Sequence, residues 1–371
     1  MLEKPKGVRR EREDVSYHEE AALQITRGRA CRRAGGRVIL QSLLPKRDYL
    51  PCARRNKMVQ SGQMDALRRP KSMLMSDADQ NLKERVRAFW QAHPCGTKFA
   101  DAAPGTRLFF ERVEEHRYRT EWHIPEAADF KSARGLRVLE IGCGLGTDGA
   151  QFALAGADYT GVDLTDAAVE LARKRFELFN LPGTFRTADA EKLDFADDTF
   201  DLVYSHGVLH HTPDTDRAVA EVHRVLKPSG RAVVMLYHRD SYNYRFNIRL
   251  FRRAGAHLLK SETGLKLAHK LTKEPVESLR EHARFIKEDT ESYLAPGEFL
   301  NQNTDGAGNP LARVYSRREA RELFKAFSRV ELHAHFLNKR WLPLVGNILP
   351  RKLEARLAAR WGWHLWIYAT K

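Results

Sequence analysis

The sequence has no uninterrupted apolar run approaching the roughly 18 residues that a membrane-spanning helix needs. Its opening MLEKPKGVRREREDV carries no apolar stretch after the charges, which argues against a secretory signal. Cysteine is scarce. The four, Cys31, Cys52, Cys95 and Cys143, form no C-x-x-C pair and no zinc-ligand spacing. A disulfide scaffold and a structural zinc site are therefore excluded as readings, and a reducing compartment, the cytoplasm, is expected. No repeat of solenoid period is evident.

Basic charge is present in excess, and it is unevenly spread. The net charge is +15, yet residues 1–75 alone hold 18 Lys and Arg against 8 Asp and Glu. Arginine pairs recur there (Arg9-Arg10, Arg32-Arg33, Arg54-Arg55, Arg68-Arg69), and Pro45, Pro51 and Pro70 interrupt short apolar runs. Such a segment cannot bury enough apolar surface to offset its ordering entropy. A basic, disordered extension is expected over 1–75, with a nucleic-acid-binding or lipid-binding arm as the alternative.

Periodic sequence begins after Met75. Leu82, Val86, Phe89 and Trp90 fall on one helical face, and Leu108, Phe109, Phe110 and Val113 suggest another buried segment. These place a helical region over 76–133. From Leu136 to Tyr237 strands alternate with helices. Arg137 to Ile141, Asp158 to Val162, Phe200 to Tyr204 and Arg231 to Tyr237 read as strands. Val169, Ala172 and Phe176 mark one helix, with Thr165 as its N-cap, and Ala218, Val222, Val225 and Leu226 mark another that stops at Lys227-Pro-Ser-Gly230. The alternation implies βαβ units and a parallel sheet, a core over 134–238. It pauses over 239–313, read as an inserted helical cap. A helix capped by Ser316 and two strands, 329–336 and 364–370, then complete 314–371 around an apolar stretch at 341–349.

The chemistry is concentrated at Gly142-Cys143-Gly144-Leu145-Gly146, between a strand and a helix. Glycines let the backbone turn sharply and approach a ligand, and the helix N-terminus beyond offers free N–H groups. Asp163 follows 21 residues after Gly142 at the next strand's end, placed to accept ribose hydroxyls. Asp189 and Ala190 follow the third strand, where an adenine edge would lie. Ser205, His206 and Gly207 follow the fourth, at the crevice where open α/β sheets bind ligands. A dinucleotide fold shares the glycine turn and the acid. However, its third glycine stands three positions after the second, and here Thr147 occupies that place.

The segments VLEIGCGLGT, GVDLT, ADAEKLDFADDTFDLVYSHGVLHHTPD and EVHRVLKPSGRAVV resemble the class I S-adenosylmethionine (SAM)-dependent methyltransferases, particularly the ubiquinone/menaquinone-type small-molecule branch. The resemblance covers about 100 residues. It implies a Rossmann-like, seven-stranded, mostly parallel sheet with a helical N-terminal lid and C-terminal cap insertions, with SAM as cofactor. It also implies roles. Glu140, Gly142, Cys143, Gly144 and Gly146 would line the methionyl part, Asp163 and Leu164 the ribose and adenine, and Asp189 and Ala190 the adenine edge. Ser205 and His206 would border the sulfonium, with Tyr118 reaching over from the lid.

Transfer to a small hydrophobic or aromatic acceptor, by O- or C-methylation, is the expected activity. An oxygen acceptor needs its proton removed, a task suited to a neutral histidine. The candidates are His206 and His210 first, then His211 and His238. Because His210 and His211 are adjacent, they are expected to point apart. No metal is expected, since His206, His210, His211 and Asp214 lack ligand spacing. Pro94-Cys95 lies before the core, not where an RNA cytosine methyltransferase keeps its nucleophile. The [D/N]-P-P-[Y/F] motif is also absent after the fourth strand. A nucleic-acid partner is accordingly disfavoured. An RNA methyltransferase using the basic arm and a non-catalytic SAM binder are the competing readings. Tyr237, His238, Tyr242, Tyr244 and Phe246 are expected to line an acceptor pocket, and 341–349 to touch a membrane or cover the site.

Overall fold

Short β-branched runs separated by glycine turns build the sheet. In the computed structural model, which describes residues 77–338 and 349–371, β1 (Arg137–Ile141) pairs in parallel with β2 (Asp158–Asp163) and β4 (Phe200–His206). The outer neighbours are β3 (Thr184–Thr187) beside β2 and β5 (Leu226–Tyr237) beside β4. β7 (His364–Thr370) is inserted antiparallel between β5 and β6 (Arg329–His335). The strand order is 3-2-1-4-5-7-6, the mostly parallel seven-stranded sheet that the alternation implied. The order reverses between β1 and β4, so the crevice lies at their C-terminal ends.

Helices cover both faces of the sheet. Before it come α1 (Asp77–Ala92), α2 (Arg107–Thr120) and the short α3 (Ile124–Ala128). α4 (Thr147–Leu154) follows the glycine loop, α5 (Asp166–Leu178) follows β2, and α6 (Thr215–Val225) precedes β5. One core layer gathers Val138, Phe152, Tyr159, Phe176, Tyr204 and Trp366. The other gathers Leu139, Ile141, Val203, Val222, Val234 and Ile367. Successive strand residues thus feed opposite layers, as the period of two requires.

Several local expectations change. Leu108 is exposed while Phe109 and Phe110 are fully buried, because only the latter pair turns toward α5 across the helix. β5 starts five residues earlier than Arg231. Leu226 pairs with Phe200, and the chain bulges at Lys227–Gly230, where Ser229 takes φ +65°. Thr165 stands at the N-cap of α5 but caps nothing with its hydroxyl, which donates back to Asp163. Ser316 caps its helix as expected, in a reciprocal box with Glu319.

Between β5 and β6 the chain forms a π-helix (Asn243–Arg252) that continues through a short turn of α-helix and the 3-10 segment Ala256–Lys260. It goes on through α7 (Glu262–Thr272), α8 (Val276–Glu288), α9 (Thr290–Leu294) and α10 (Pro296–Gln302). α11 (Arg317–Leu323) precedes β6 and α12 (Arg351–Trp361) precedes β7. No helix among the described residues is long and apolar enough to cross a membrane. The basic extension over 1–75 and the stretch 341–348 lie outside the described residues.

Candidate functional site

The glycine loop closes the end of β1 by gripping β2. Gly142 N and Cys143 N both donate to the Val162 carbonyl, at 2.7 and 2.9 Å. Gly142, Gly144 and Gly146 all take positive φ, the left-handed region that favours glycine. A side chain on Gly142 would collide with Val208, whereas a Cβ on Gly144 would meet nothing within 4 Å. The loop is therefore packed on one side and open on the other.

Asp163 sits beside this opening, half-buried. Its Oδ2 accepts from Gly144 N at 3.1 Å, and its Oδ1 accepts from Thr165 N and Oγ1 at 3.0 and 2.9 Å. Burial raises its carboxyl pKa, against the pull of those donors. The loop after β3 is tied to the same place, since Ala188 N donates to the Asp163 carbonyl at 2.8 Å. Leu164 is half-buried beside Asp163, and Ala190 is buried. Asp189 accepts from Lys83 of α1 at 2.6 Å, and that ammonium also reaches Glu191. Ser205 is fully buried and spends its hydroxyl on the Ile141 carbonyl, locking β4 to β1. Gly142, Cys143, Gly144, Gly146, Asp163, Leu164, Asp189, Ala190, Ser205 and His206 thus lie at or beyond the C-terminal ends of the parallel strands. Glu140 is set deeper. Its carboxyl accepts from the Tyr159 hydroxyl at 2.5 Å, and burial and the Asp148 charge push its pKa well up.

A cage of donors around Asp148 was not visible in the sequence. Asp148 lies in the first turn of α4. It accepts from Arg117 Nε and Nη2 at 2.9 and 2.5 Å, from Tyr118 at 3.0 Å and from Tyr204 at 2.8 Å. Burial opposes its charge, but Arg117 and the two hydroxyls hold its pKa below the usual range. The one sequence signal was an acid just inside a helix start, where the helix dipole favours it. Tyr118 is thereby fixed over the N-terminus of α4. Arg117 also approaches His206 Nδ1 at 3.3 Å. Because a guanidinium only donates, Nδ1 accepts and the ring proton sits on Nε2, which is buried with no partner among the described residues. Burial and then the Arg117 charge depress the His206 pKa strongly, so the ring is neutral.

A second cluster lies along the end of β5. The 3-10 turn Leu209–His211 swings His210 and His211 to the same side, correcting the expectation that adjacent rings point apart. His210 packs at a tilt of 37° against Tyr237, 3.9 Å between centroids, and His211 meets the same ring edge-on at 5.9 Å. Tyr237 donates to Asp305 Oδ1 at 2.7 Å, while His211 Nε2 lies 3.3 Å from Asp305 Oδ2. Burial opposes the Asp305 charge, yet His211 and Tyr237 bring its pKa down to about 2. His210 is fully buried with neither ring nitrogen partnered among the described residues, and burial depresses its pKa well below the ordinary value. Asp305 was missed because Thr304-Asp-Gly reads only as a turn.

The other aromatics after Tyr237 do not join this cluster. His238 turns the opposite way along the strand and binds the Gly362 carbonyl at 2.9 Å. Tyr242 stacks on the exposed Phe246, and Tyr244 faces Arg249. Cys95 is exposed, in the loop before Thr97. The surrounding protein and the Asp305 carboxylate push its thiol up to about 11, so it is not a thiolate. Among the described residues no group of His, Cys, Asp and Glu is placed to hold a metal.

Residues 139–234 match the methyltransferase domain family. Among curated relatives, the phthiotriol/phenolphthiotriol dimycocerosates methyltransferase of Mycobacterium leprae is 35% identical over 178 residues, 44% of this chain and 65% of that protein. The sterol 4-C-methyltransferase of Caenorhabditis elegans is 31% identical over 126 residues, 33% of this chain and 37% of that protein. The matches thus span less than two thirds of these relatives. A solved SAM-dependent methyltransferase of Thermotoga maritima, described as a possible histamine N-methyltransferase, is 17% identical with a TM-score of 0.38. It aligns over 71% of this chain and 97% of that one.

Proposed function

We propose that this chain carries a class I SAM-dependent methyltransferase core and transfers a methyl group from SAM to a small lipophilic acceptor. The observation that carries the reading is the open side of the glycine loop beside Asp163, inside the 96-residue span that matches the domain family. The residues fit the cofactor. Gly144 leaves room that a Cβ would fill, and Asp163 offers a carboxylate at ribose height. Asp189 stands one strand further along, where an adenine edge belongs. The relatives' printed acceptors, a dimycocerosate lipid and a sterol, support a lipophilic substrate. The scattered cysteines support a cytoplasmic setting.

SAM supplies an activated methyl group when bound. The chain's own work is to bind, orient and exclude water, and positioning can contribute roughly 7–11 kcal/mol to such a barrier. Arg117, Tyr118 and Tyr204 fix Asp148 and with it the start of α4, so the glycine loop is held without rearrangement. His206 presents a neutral Nε2–H and serves as a donor, not as a base. His210 is the proton acceptor for a hydroxyl substrate, since it is neutral and neither nitrogen is committed. Asp305 and Tyr237 form the polar wall beside it.

The test is to incubate purified protein with SAM and lipid extract and search by mass spectrometry for products heavier by one methylene. Products that require both SAM and the protein support the reading. SAM bound without any transfer, across polar and lipid extracts alike, would leave a binding protein instead.

A further inference from the structure

Beyond residue 75 one short segment carries a positive excess larger than the net charge of all the residues after 75. Residues 76–371 hold 45 Lys and Arg against 40 Asp and Glu. Residues 243–273 account for eight of the basic residues and a single acid, Glu262, so everything else after residue 75 has 37 against 39. This segment is the π-helix, its 3-10 continuation and α7.

Its large apolar side chains are exposed as well. Phe246, Leu250, Phe251, Leu258, Leu267 and Leu271 are 45 to 72% exposed, six of the eleven such residues among those described. They alternate with the cations in a fixed pattern. Arg245-Phe246 recurs four residues on as Arg249-Leu250, and Lys266-Leu267 recurs as Lys270-Leu271. Positions four apart share a helix face, so each helix carries an apolar row flanked by a basic row. The inner sides are satisfied elsewhere, with Ile248, Ala256, Leu259 and Leu265 buried. The two helical stretches are also held together, since Gly264 backs onto the Leu258 carbonyl where a Cβ would collide.

Beside these rows lies a pocket of about 550 Å³ lined by Arg239, Tyr244, Arg245 and Arg249 among others. An adjoining one of about 350 Å³ adds Arg253 and Phe299. Arg249 lies over the Tyr244 ring and Arg253 over the Phe299 ring, at 5.8 and 5.7 Å. Neither guanidinium has a carboxylate partner among the described residues, whereas Arg245 is paired with Asp240. Exposed apolar rows serve no purpose against a phosphodiester duplex, but they insert readily at a lipid interface beside cations.

We propose that residues 243–273 dock the protein on an anionic lipid surface. Phe246, Leu250, Phe251 and Leu271 enter the acyl boundary, and Arg249 and Arg253 receive a phosphate headgroup. The inference goes beyond methyl transfer and is read without it.

The full chain is sedimented with phosphatidylcholine vesicles, with and without phosphatidylglycerol. Binding to the anionic vesicles is expected, weakening as salt screens the charges. The L250S/L271S pair and the R249E/R253E pair should each weaken it about tenfold. Their circular dichroism and S-adenosylhomocysteine affinity should stay at the wild-type level. Because the basic residues 1–75 also attract anionic lipid, the variants are decisive. Wild-type vesicle binding by both pairs overturns the proposal. So does absence of binding, a preference for a short RNA duplex over vesicles, or full displacement by inorganic phosphate.

Discussion

The two ends of the sheet-edge crevice are built on opposite terms. At the glycine-loop end the carboxylates are held by donors from within the chain. Asp148 has four donors from three residues, and Asp163 has three donors from the adjoining loops. At the β5 end, His210 has no partner at either nitrogen among the described residues, and His206 Nε2 between the two ends has none there either. Buried polar atoms without partners cost free energy, so groups left that way mark where a ligand completes the bonding. On the proposed reading, the first end holds the cofactor and the second faces the acceptor.

The largest effect should come from breaking the rigid end. Arg117→Leu leaves the buried Asp148 charge without its bidentate partner. It should cost about 3–5 kcal/mol in chemical denaturation and weaken S-adenosylhomocysteine binding in parallel. A loss under about 1 kcal/mol would mean the cage is not structural. At the other end, His210→Phe keeps a ring on Tyr237 but removes both nitrogens. Turnover of a hydroxyl acceptor should fall about a hundredfold with S-adenosylhomocysteine affinity unchanged. Equal loss of both would move His210 to the cofactor's side of the comparison.

A smaller effect is expected from pH. His206, His210 and His364 have folded pKa values well below the ordinary histidine value, chiefly through burial. Their stabilising contribution is complete above the unfolded value near 6.5. It is lost as pH falls below that, because only the unfolded chain takes up the protons. Stability measured by urea denaturation should therefore decline from pH 7 to pH 5, and the His210→Phe variant should decline less steeply. A flat profile would contradict the neutral, desolvated rings. The smallest effect belongs to Cys95→Ser, which should leave turnover within about twofold, since a thiol raised to about 11 is no nucleophile at neutral pH.

The sheet, the glycine loop and Asp163 were legible because local patterns encode them. Alternating β-branched runs specify strands, glycines specify positive φ, and an acid ending an apolar strand needs a partner. The final strand His364–Thr370 was also read from its unbroken apolar run. What was not legible depends on residues far apart in the chain. Asp148 is bound by Arg117 and Tyr204, 31 and 56 residues away, and Asp305 meets Tyr237 across 68. No spacing rule announces such meetings. The aromatic run after Tyr237 suggested a single pocket, but a strand end followed by a π-helix sends its members to three different surroundings.

The claim beneath all of this is that the crevice beside Gly144 and Asp163 holds the adenosyl group of SAM. Calorimetric titration of wild-type protein and Asp163→Asn with S-adenosylhomocysteine tests it most directly. The account predicts one site in the wild type and a loss of affinity of about a hundredfold in a variant that remains folded. Wild-type affinity in Asp163→Asn, or uptake of a nicotinamide dinucleotide in place of S-adenosylhomocysteine, would contradict it.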